Sequence, residues 1–546
     1  MLVVCGSGLR LAFPTFELPR KARWVCLRYM FRLRMPARRD EISKIQELLS
    51  EEQGVIRKTG ALRVALCYPS PYHVGMSSLG FQTLYRQINQ HPNASCERAF
   101  LPDSLEPHRQ ARLPVLTFES QTPIGNAAVV AFSVAYELEI TGMFAVLEVS
   151  GIPALREQRT SAHPLIIAGG PLTFSNPTPL EPFVDVLVQG EAEEVIHVFL
   201  TAALEMDREQ LLEHLSKVPG FFVPGRGGQR YQLAKASDAY LPARSQILTP
   251  HTELRSMFLI EPERGCSRGC HYCVMRRTTN GGMRTLPLDR ILSLIPEEAR
   301  RVGLVGAAVT DHPQIAQLLR TLVDSGREVG VSSLRADRLT QELVNLLRRG
   351  GAKVLTVASD GASQRMRDLV DRKHTEEQIL RSAQFGRAAG MSHLKVYNMV
   401  GLPAEQDADI DEMIAFTVEL SRIVPVALGV APFVAKRNTP MDGSPFAGIE
   451  VIEDRLARLR AGLKGRAEVR PTSARWAWVE YMLAQSGAEA GLAAFDAYRA
   501  GGAFAAFKRA FESRAVVPFL ERRTPDGRRN PTVWPAVSAT AAAAAV

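Results

Sequence analysis

The residues of this 546-residue sequence that could do chemistry are three cysteines within eight positions, Cys266, Cys270 and Cys273. Their Cys-x3-Cys-x2-Cys spacing predicts that the three thiolates bind one centre, because local thiolate runs of this kind hold iron–sulfur clusters. On a four-iron cluster they would leave one iron open. A structural zinc site needs a fourth Cys or His, and His271 is poorly placed between two ligands. A zinc knuckle completed by a distant histidine, or chance clustering, is the alternative.

The remaining four of the seven cysteines are scattered along the N-terminal fifth of the chain. A secreted disulfide framework would show an even, distributed set, so we expect a reducing, cytoplasmic compartment. No apolar run approaches the ~20 residues that cross a bilayer, so we expect no membrane. These four cysteines are Cys5, Cys26, Cys67 and Cys96.

Short apolar strands alternating with helical patterns would position the cysteine loop. The loop follows the first of six such strands, which predicts a partial (β/α) TIM-type barrel with its chemistry at the carboxyl ends of the strands. The predicted strands are Met257–Glu261, Val302–Val305, Glu328–Ser332, Val354–Ala358, Leu394–Met399 and Val426–Val430. The predicted helices are Leu288–Arg300, Pro313–Ser325, Thr340–Arg349, Thr375–Ala389 and Ile410–Ile423.

A second alternation, over residues 61–205, predicts a doubly wound Rossmann-like α/β domain. Its ligand site would lie beyond the carboxyl ends of its strands. The predicted strands are Leu62–Tyr68, Ala127–Val134, Leu165–Ala168 and Val184–Val188, and the candidate binding residues are Tyr68, Ser133, Gly169, Gly170 and Glu191.

The sequence resembles a known family at these segments. A Cys-x3-Cys-x2-Cys loop after a barrel strand, with the aromatic Tyr272 before its third cysteine, is the signature of radical S-adenosylmethionine (radical SAM) enzymes. Further segments resemble the subgroup with an N-terminal cobalamin-binding domain, over roughly residues 60–515. These segments are Tyr68–Met76, Gly169–Pro177, Ser332–Arg335, Ala358–Arg365, Asn398–Pro403 and Pro432–Pro440.

The resemblance implies three cofactors. The three cysteines would bind a [4Fe-4S] cluster whose open iron binds S-adenosylmethionine (SAM), and one electron would cleave SAM to a 5′-deoxyadenosyl radical. Arg335 would pair with the methionyl carboxylate of SAM, and Asp360 would accept from its ribose hydroxyls. Cobalamin would occupy the strand ends of the first domain. The other implied SAM contacts are the backbone at Tyr272, Ser332, Val400, Gly401 and Leu402.

The sequence departs from the family patterns in two places. The Gly-Gly-Glu that often ends the second barrel strand and contacts the methionyl amine is missing, and Thr310, Asp311 or backbone carbonyls are the candidates to replace its Glu. The Asp-x-His-x-x-Gly motif is also missing, since residue 71, two positions before His73, is proline. We therefore expect no histidine ligand to the cobalt. The alternative is a first domain that has lost its cofactor and serves as a substrate or docking module.

The net charge of +9 is confined to the ends of the chain. Residues 1–40 carry nine basic and two acidic side chains and residues 521–546 carry four and two, so residues 41–520 have no net charge. Phosphate binding needs clustered Lys and Arg, so nucleic-acid binding is not expected. The predicted domains are a basic leader (1–40), the cobalamin-binding-like domain (41–214), a linker (215–250), the radical SAM barrel (251–445), a helical region (446–515) and a low-complexity tail (516–546).

The leading functional prediction is a cobalamin-dependent radical SAM methyltransferase. Its substrate is unknown, and its electron would come from a donor such as flavodoxin or ferredoxin. One alternative is radical SAM chemistry of another type without functional cobalamin. Sulfur insertion into RNA would normally bring a second set of three cysteines, which the scattered N-terminal ones do not suggest. The other alternative is a non-catalytic iron–sulfur protein.

Overall fold

The computed structural model describes residues 36–226, 232–275 and 282–519. The first 35 residues of the predicted basic leader lie outside these ranges, whereas residues 36–50 are helical and form α1. The predicted tail lies outside them from residue 520 onwards.

The first domain is built on a six-stranded sheet with the order β2-β1-β3-β4-β5-β6. The first five strands are parallel and β6 is antiparallel to β5. Helices cover both faces of the sheet, so every residue of β3 is buried. The predicted doubly wound fold is confirmed. The strands are β1 (Leu62–Tyr68), β2 (Ala94–Phe100), β3 (Val129–Ser133), β4 (Leu165–Gly169), β5 (Val186–Val188) and β6 (Phe221–Phe222). The helices are α2 (Tyr72–Gly75), α3 (Leu79–Gln90), α4 (Glu106–Ala111), α5 (Ile140–Val149), α6 (Ala192–Glu205) and α7 (Arg208–Leu215).

Sequence reasoning did not predict strand β2, because Glu97 and Arg98 interrupt its apolar run. Arg98 is nevertheless fully buried. Its guanidinium makes a two-pronged ion pair with Glu52, with both N–O distances 2.7 Å, and its Nε lies 2.7 Å from Glu119 Oε1. Paired charge therefore replaces apolar burial at this edge of the sheet. Likewise β6 falls within residues 215–250, where a linker was predicted.

The second domain is a partial parallel barrel, as predicted. Three strands pair in the order β11-β10-β7 and four in the order β12-β13-β14-β15, and a parallel bridge from Leu334 to Val357 joins the two groups. Strand β15 was not predicted and lies within residues 446–515, which were expected to be helical. The strands are β7 (Met257–Ile260), β10 (Arg301–Leu304), β11 (Glu328–Val331), β12 (Val354–Ala358), β13 (His393–Val400), β14 (Val426–Pro432) and β15 (Glu468–Pro471). The helices are α8 (Leu288–Ser293), α9 (Ile315–Asp324), α10 (Gln341–Arg349), α11 (Gln364–Leu369), α12 (Glu376–Ala388), α13 (Asp407–Ile423) and α14 (Ile449–Gly462).

Two of the three C-terminal helices, Ala474–Ala484 and Ala488–Arg499, pack back onto the first domain, and the third, Phe504–Ser513, packs on those two. A Cβ built on Gly491 of α16 would lie 1.9 Å from the carbonyl oxygen of Pro179, so only glycine permits this approach. Asn176, after β4, donates to the carbonyl oxygens of Leu483 and Ser486 at 2.9 and 2.8 Å. The first and last parts of the chain therefore form one packed unit. These helices are α15 (Ala474–Ala484), α16 (Ala488–Arg499) and α17 (Phe504–Ser513).

Apolar packing unites the elements. One buried cluster joins one face of the first sheet, the layer between the barrel strands and their helices, and the C-terminal helices, and a second cluster fills the other face of that sheet. Within the described ranges, no helix is both long enough and apolar enough to cross a bilayer.

Candidate functional site

The cysteine loop connects the two strands of a small hairpin beside the barrel. After β7 the chain forms β8 (Glu263–Cys266), which pairs antiparallel with β9 (Gly282–Thr285). Cys266 is the last residue of β8. Gly265, with φ of +91°, redirects the strand into the loop, a backbone conformation that favours glycine. The loop therefore starts from a paired strand rather than directly from the barrel strand.

Backbone contacts fix the loop on the carboxyl edge of the barrel. The His271 N–H donates to Val370 O at 3.0 Å, and His271 O accepts from the Met441 N–H at 3.2 Å. His271 Nδ1 lies 3.0 Å from the carbonyl oxygen of Leu369. The segments after α11 and after β14 therefore position the loop, and the His271 ring faces a carbonyl group.

The three thiols of the loop are free. The Arg268 N–H donates to Cys266 Sγ at 3.4 Å, and Arg372 donates to Cys270 Sγ at 3.8 Å. Burial raises the pKa of Cys266, and it raises that of Cys273 to about 11. Bound iron would remove these thiol protons.

A four-iron cluster suits this donor set. No group of three His, Cys, Asp or Glu side chains in the described ranges could hold a single metal ion. A [4Fe-4S] cluster asks for a different arrangement, with each thiolate on its own iron. Three soft thiolates on one loop, each accepting an N–H bond, match that chemistry.

Asp360, directly beyond β12, links two parts of the cysteine loop. Its Oδ2 accepts from the Tyr272 hydroxyl at 2.7 Å and lies 2.9 Å from Arg372 Nε. Asp360 adopts φ of +60°, and its N–H donates to Tyr397 O. This strained residue therefore holds its carboxylate against Tyr272, and through Arg372 against Cys270.

Arg335, beyond β11, is held by carboxylates of the protein itself. It pairs with Asp311 and, through Nη2 at 2.6 Å, with Asp337. Asp337 also pairs with Arg268 and with His374. Although burial opposes the shift, His374 and Arg335 hold the pKa of Asp337 well below its usual range. The guanidinium predicted to meet the methionyl carboxylate is thus engaged within the protein.

The end of β13 presents an ordered backbone. Val400 O accepts from the Phe433 N–H at 2.8 Å, and the Gly401 N–H donates to Glu405 Oε1 at 2.9 Å. Val400 and Leu402 are buried, and Gly401 has φ of +84°. Ser332, by contrast, is exposed beyond β11.

A carboxylate from the hairpin lies against the end of β10. Glu263 is 0% exposed, and its Oε1 accepts from the Ala308 N–H at 2.8 Å. A Cβ on Gly306 would lie 2.1 Å from the same oxygen, so any larger residue there would displace this carboxylate. Glu263 Oε2 has no hydrogen-bond partner within the described ranges. Burial raises the pKa of Glu263 to about 7.

The strand ends of the first domain face the cysteine hairpin. Glu191, after β5, lies 2.5 Å from Arg284 of β9 and 3.5 Å from Arg264 of β8. After β3, Glu137 pairs with Lys436, which lies beyond β14, at 2.7 Å. The edge predicted to bind a ligand in the first domain and the carboxyl edge of the barrel therefore meet.

The other predicted residues of the first domain pack within it. Tyr68 is buried against Phe81. Ser133 is buried beside Gly169, its neighbour across the sheet. Gly170 has φ of +110°, and a Cβ there would lie 2.6 Å from Val134 O. These glycines serve close packing between two strand-end loops.

Comparison with known proteins shows which family this chain resembles. Residues 80–224 match the family model "Radical SAM proteins, N-terminal" and residues 260–417 match "Radical SAM superfamily". The chain belongs to the radical SAM superfamily. An uncharacterised protein of Methanocaldococcus jannaschii is 26% identical over 393 residues, which is 70% of this chain and 80% of that one.

Two further proteins are more distant from this radical SAM chain. The 2-(S-pantetheinyl)-carbapenam-3-carboxylate methyltransferase of Streptantibioticus cattleyicolor is 24% identical over 344 residues, covering 54% of this chain and 47% of its own. The structure of the cobalamin-dependent S-adenosylmethionine radical enzyme OxsB with aqua-cobalamin matches 74% of this chain and 56% of its own, with 14% identity and a TM-score of 0.49. The chain thus spans about half the length of each.

Three residues of this radical SAM site were missed by sequence reasoning. Glu263 stands three positions before Cys266, but nothing in the sequence indicates its contact with β10. Arg372 is 102 positions from the cysteine that it contacts, so no local spacing could reveal it. Asp337 follows Arg335 by two positions, and its acidic character was the only available signal.

Proposed function

We propose that this radical SAM protein is a cobalamin-dependent methyltransferase that binds a [4Fe-4S] cluster through Cys266, Cys270 and Cys273. The observation that carries the proposal is three free thiols on one loop, held where the carboxyl edges of the two domains meet. The distant relationship to a methyltransferase supports methyl transfer. An electron donor such as flavodoxin or ferredoxin would supply the electron. When bound and reduced, a cluster held by these three cysteines would supply the electron for reductive cleavage of SAM.

The residues around the loop would orient SAM. Glu263 Oε2, which has no hydrogen-bond partner among the described residues, suits the methionyl ammonium, because a buried carboxylate favours a cationic partner. It would take the role of the missing Gly-Gly-Glu glutamate from a different strand. The backbone at Tyr272 and at Val400–Leu402 would contact the nucleoside. In this proposal Arg335 keeps Asp311 and Asp337 in place instead of binding the methionyl carboxylate.

The first domain offers polar groups for cobalamin. Each of the loops after β3, β4 and β5 holds a buried oxygen without a hydrogen-bond partner among the described residues, namely Glu137 Oε1, Ser175 Oγ and Glu191 Oε1. Acceptors of this kind suit the amide side chains of a corrin ring. These residues would hold the cofactor. His73, which we expect not to bind the cobalt, is exposed on α2.

One observation favours a radical SAM reaction without cobalamin as the second candidate. In a sheet of this order, ligands bind in the crevice between β1 and β3. Glu139 bridges that crevice, accepting from Ser70 Oγ at 3.2 Å and from the Ala135 N–H at 2.6 Å. The protein itself thus fills this part of the edge.

Anaerobic reconstitution with iron and sulfide, followed by dithionite and SAM, tests the radical chemistry. We expect 5′-deoxyadenosine from the wild type and none from Cys270→Ala, whose cluster would lose one of its three thiolates. Cys96→Ala is the matched control, because Cys96 is buried in β2 away from the loop, and it should retain the product. A wild type that carries a cluster but forms no 5′-deoxyadenosine contradicts the proposal.

Cobalamin retention separates the two candidates. The wild type, incubated with cobalamin and passed through gel filtration, should keep about one cobalamin per chain by absorbance. With reduced cobalamin and SAM it should then release S-adenosylhomocysteine, the product of methyl transfer from SAM. Formation of 5′-deoxyadenosine without cobalamin retention supports the second candidate.

A further inference from the structure

The Arg372 guanidinium donates two hydrogen bonds and makes one ion pair at the base of the cysteine loop. Nη1 donates to Cys270 Sγ at 3.8 Å, Nη2 donates to Ala358 O at 3.3 Å, and Nε lies 2.9 Å from Asp360 Oδ2. Its side chain is only 13% exposed. The rigid fork of an arginine can meet a carboxylate, a carbonyl and a sulfur at once, which the single ammonium of a lysine cannot do in the same geometry.

The backbone around Arg372 is built to hold this position. Its two neighbours, Asp371 and Lys373, adopt φ of +53° and +55°. Asp360 is itself at +60°. Such conformations are costly for residues other than glycine, and they persist where the surrounding structure enforces them, often at functional sites. The same segment also anchors the cysteine loop, since Val370 O accepts from the His271 N–H.

A cation beside a cluster thiolate acts on the charge of the cluster. Reduction adds one electron to the [4Fe-4S] centre and moves no proton, so the reduced form is more negative by one charge. A partly buried positive charge close to a ligand sulfur stabilises that form, and hydrogen bonds to the sulfurs are among the features that set cluster potentials. The carboxylate of Asp360 beside Arg372 opposes this effect.

We infer that Arg372 is a positioning residue of the cluster, which holds Cys270 through its sulfur and raises the reduction potential, with Asp360 as the counter-charge that limits the rise. The inference rests on the proposed [4Fe-4S] cluster. It concerns how readily the centre accepts an electron, and it does not depend on which substrate is methylated or on cobalamin.

The test is the midpoint potential of the reconstituted cluster, from a dithionite titration followed by electron paramagnetic resonance, without SAM. In Arg372→Gln we expect about tenfold less reduced cluster at a fixed potential, which corresponds to a fall of ~59 mV for a one-electron couple. Arg372→Lys keeps the positive charge, so its potential should fall by less than half as much as that of Arg372→Gln. Asp360→Asn removes the opposing charge and should raise the potential.

The opposite signs separate electrostatics from structural damage. If the substitutions only loosened the loop, the midpoint potentials of Arg372→Gln and Asp360→Asn would shift in the same direction. That result overturns the inference. An unchanged potential in an Arg372→Gln protein with wild-type iron content also overturns it. If Arg372→Gln binds no cluster, the midpoint potentials of Arg372→Lys and Asp360→Asn test the inference instead. A potential in Asp360→Asn at or below that of the wild type counts against the inference. Arg349→Gln, at an exposed cation of α10, is the control and should not shift the potential.

Failure of the proposed function gives a different result. A wild type that assembles no [4Fe-4S] cluster contradicts the proposed function itself. A wild type with a normal cluster, whose potential is insensitive to Arg372 and Asp360, contradicts only the inference.

Discussion

Two buried charges, one in each domain, are held in opposite ways. In the first domain, Arg98 meets Glu52 and Glu119, so its charge is fully matched. In the barrel, Glu263 uses one oxygen on the Ala308 N–H and leaves the other without a partner among the described residues. The first arrangement stabilises the fold. The second carries an electrostatic cost that a bound ligand can remove, as functional sites often do.

The largest effect should come from breaking the matched charge. In Arg98→Met the carboxylates of Glu52 and Glu119 would remain buried beside each other without a cation, so we expect a loss of roughly 3–5 kcal/mol in the free energy of unfolding. Urea denaturation of the protein measures it. Since Arg98 lies in the first domain, any folded fraction should bind SAM with wild-type affinity, and a fold as stable as the wild type would contradict this reading.

Removing the unmatched charge should have the opposite sign. Folding raises the pKa of Glu263 from 4.5 to about 7, so between those values the folded protein keeps a proton that the unfolded chain releases. Glu263 therefore destabilises the protein progressively as the pH rises, by ~1.4 kcal/mol per unit. Glu263→Gln should be as stable as the wild type at pH 4.5, and more stable by roughly 1–3 kcal/mol at pH 8. Thermal unfolding of the apo-protein at both pH values measures this.

The same substitution should weaken SAM binding. We expect Glu263→Gln to lose roughly tenfold or more in affinity for SAM, the loss of one charged contact. A SAM analogue without the α-amino group is the matched control, and both proteins should bind it equally. Equal loss for SAM and for the analogue would mean that Glu263 does not meet the ammonium.

The smallest effects concern the contact between the C-terminal helices and the first domain. In Gly491→Ala the added methyl group would meet Pro179 O at 1.9 Å, and we expect a loss of roughly 1–3 kcal/mol of stability. Gly80→Ala is the matched control, because Gly80 lies in α3 with no atom within 4 Å of an added Cβ. It should gain up to ~1 kcal/mol from helix propensity. Chemical denaturation of both variants measures the difference, and equal stabilities would show that this approach is not tight.

How much could be read from the sequence depends on the range of the interactions. Apolar runs predicted both α/β domains and most of their strands, because strand periodicity is local. Strand β2 was not predicted, because its buried Arg98 is paired with Glu52 and Glu119, which are distant in sequence. The cysteine spacing, with Tyr272, predicted the family because its residues are neighbours along the chain.

The sequence by itself determined the type of chemistry, namely three thiolates on one loop beside a barrel strand. Only the tertiary structure decided what surrounds them. It paired Arg335 with Asp311 and Asp337, buried Glu263 against the end of β10, and brought Arg372 to Cys270 across 102 positions. The physical reason is that buried charges select partners by position in the folded chain, where desolvation makes each contact count, and sequence separation does not report that position.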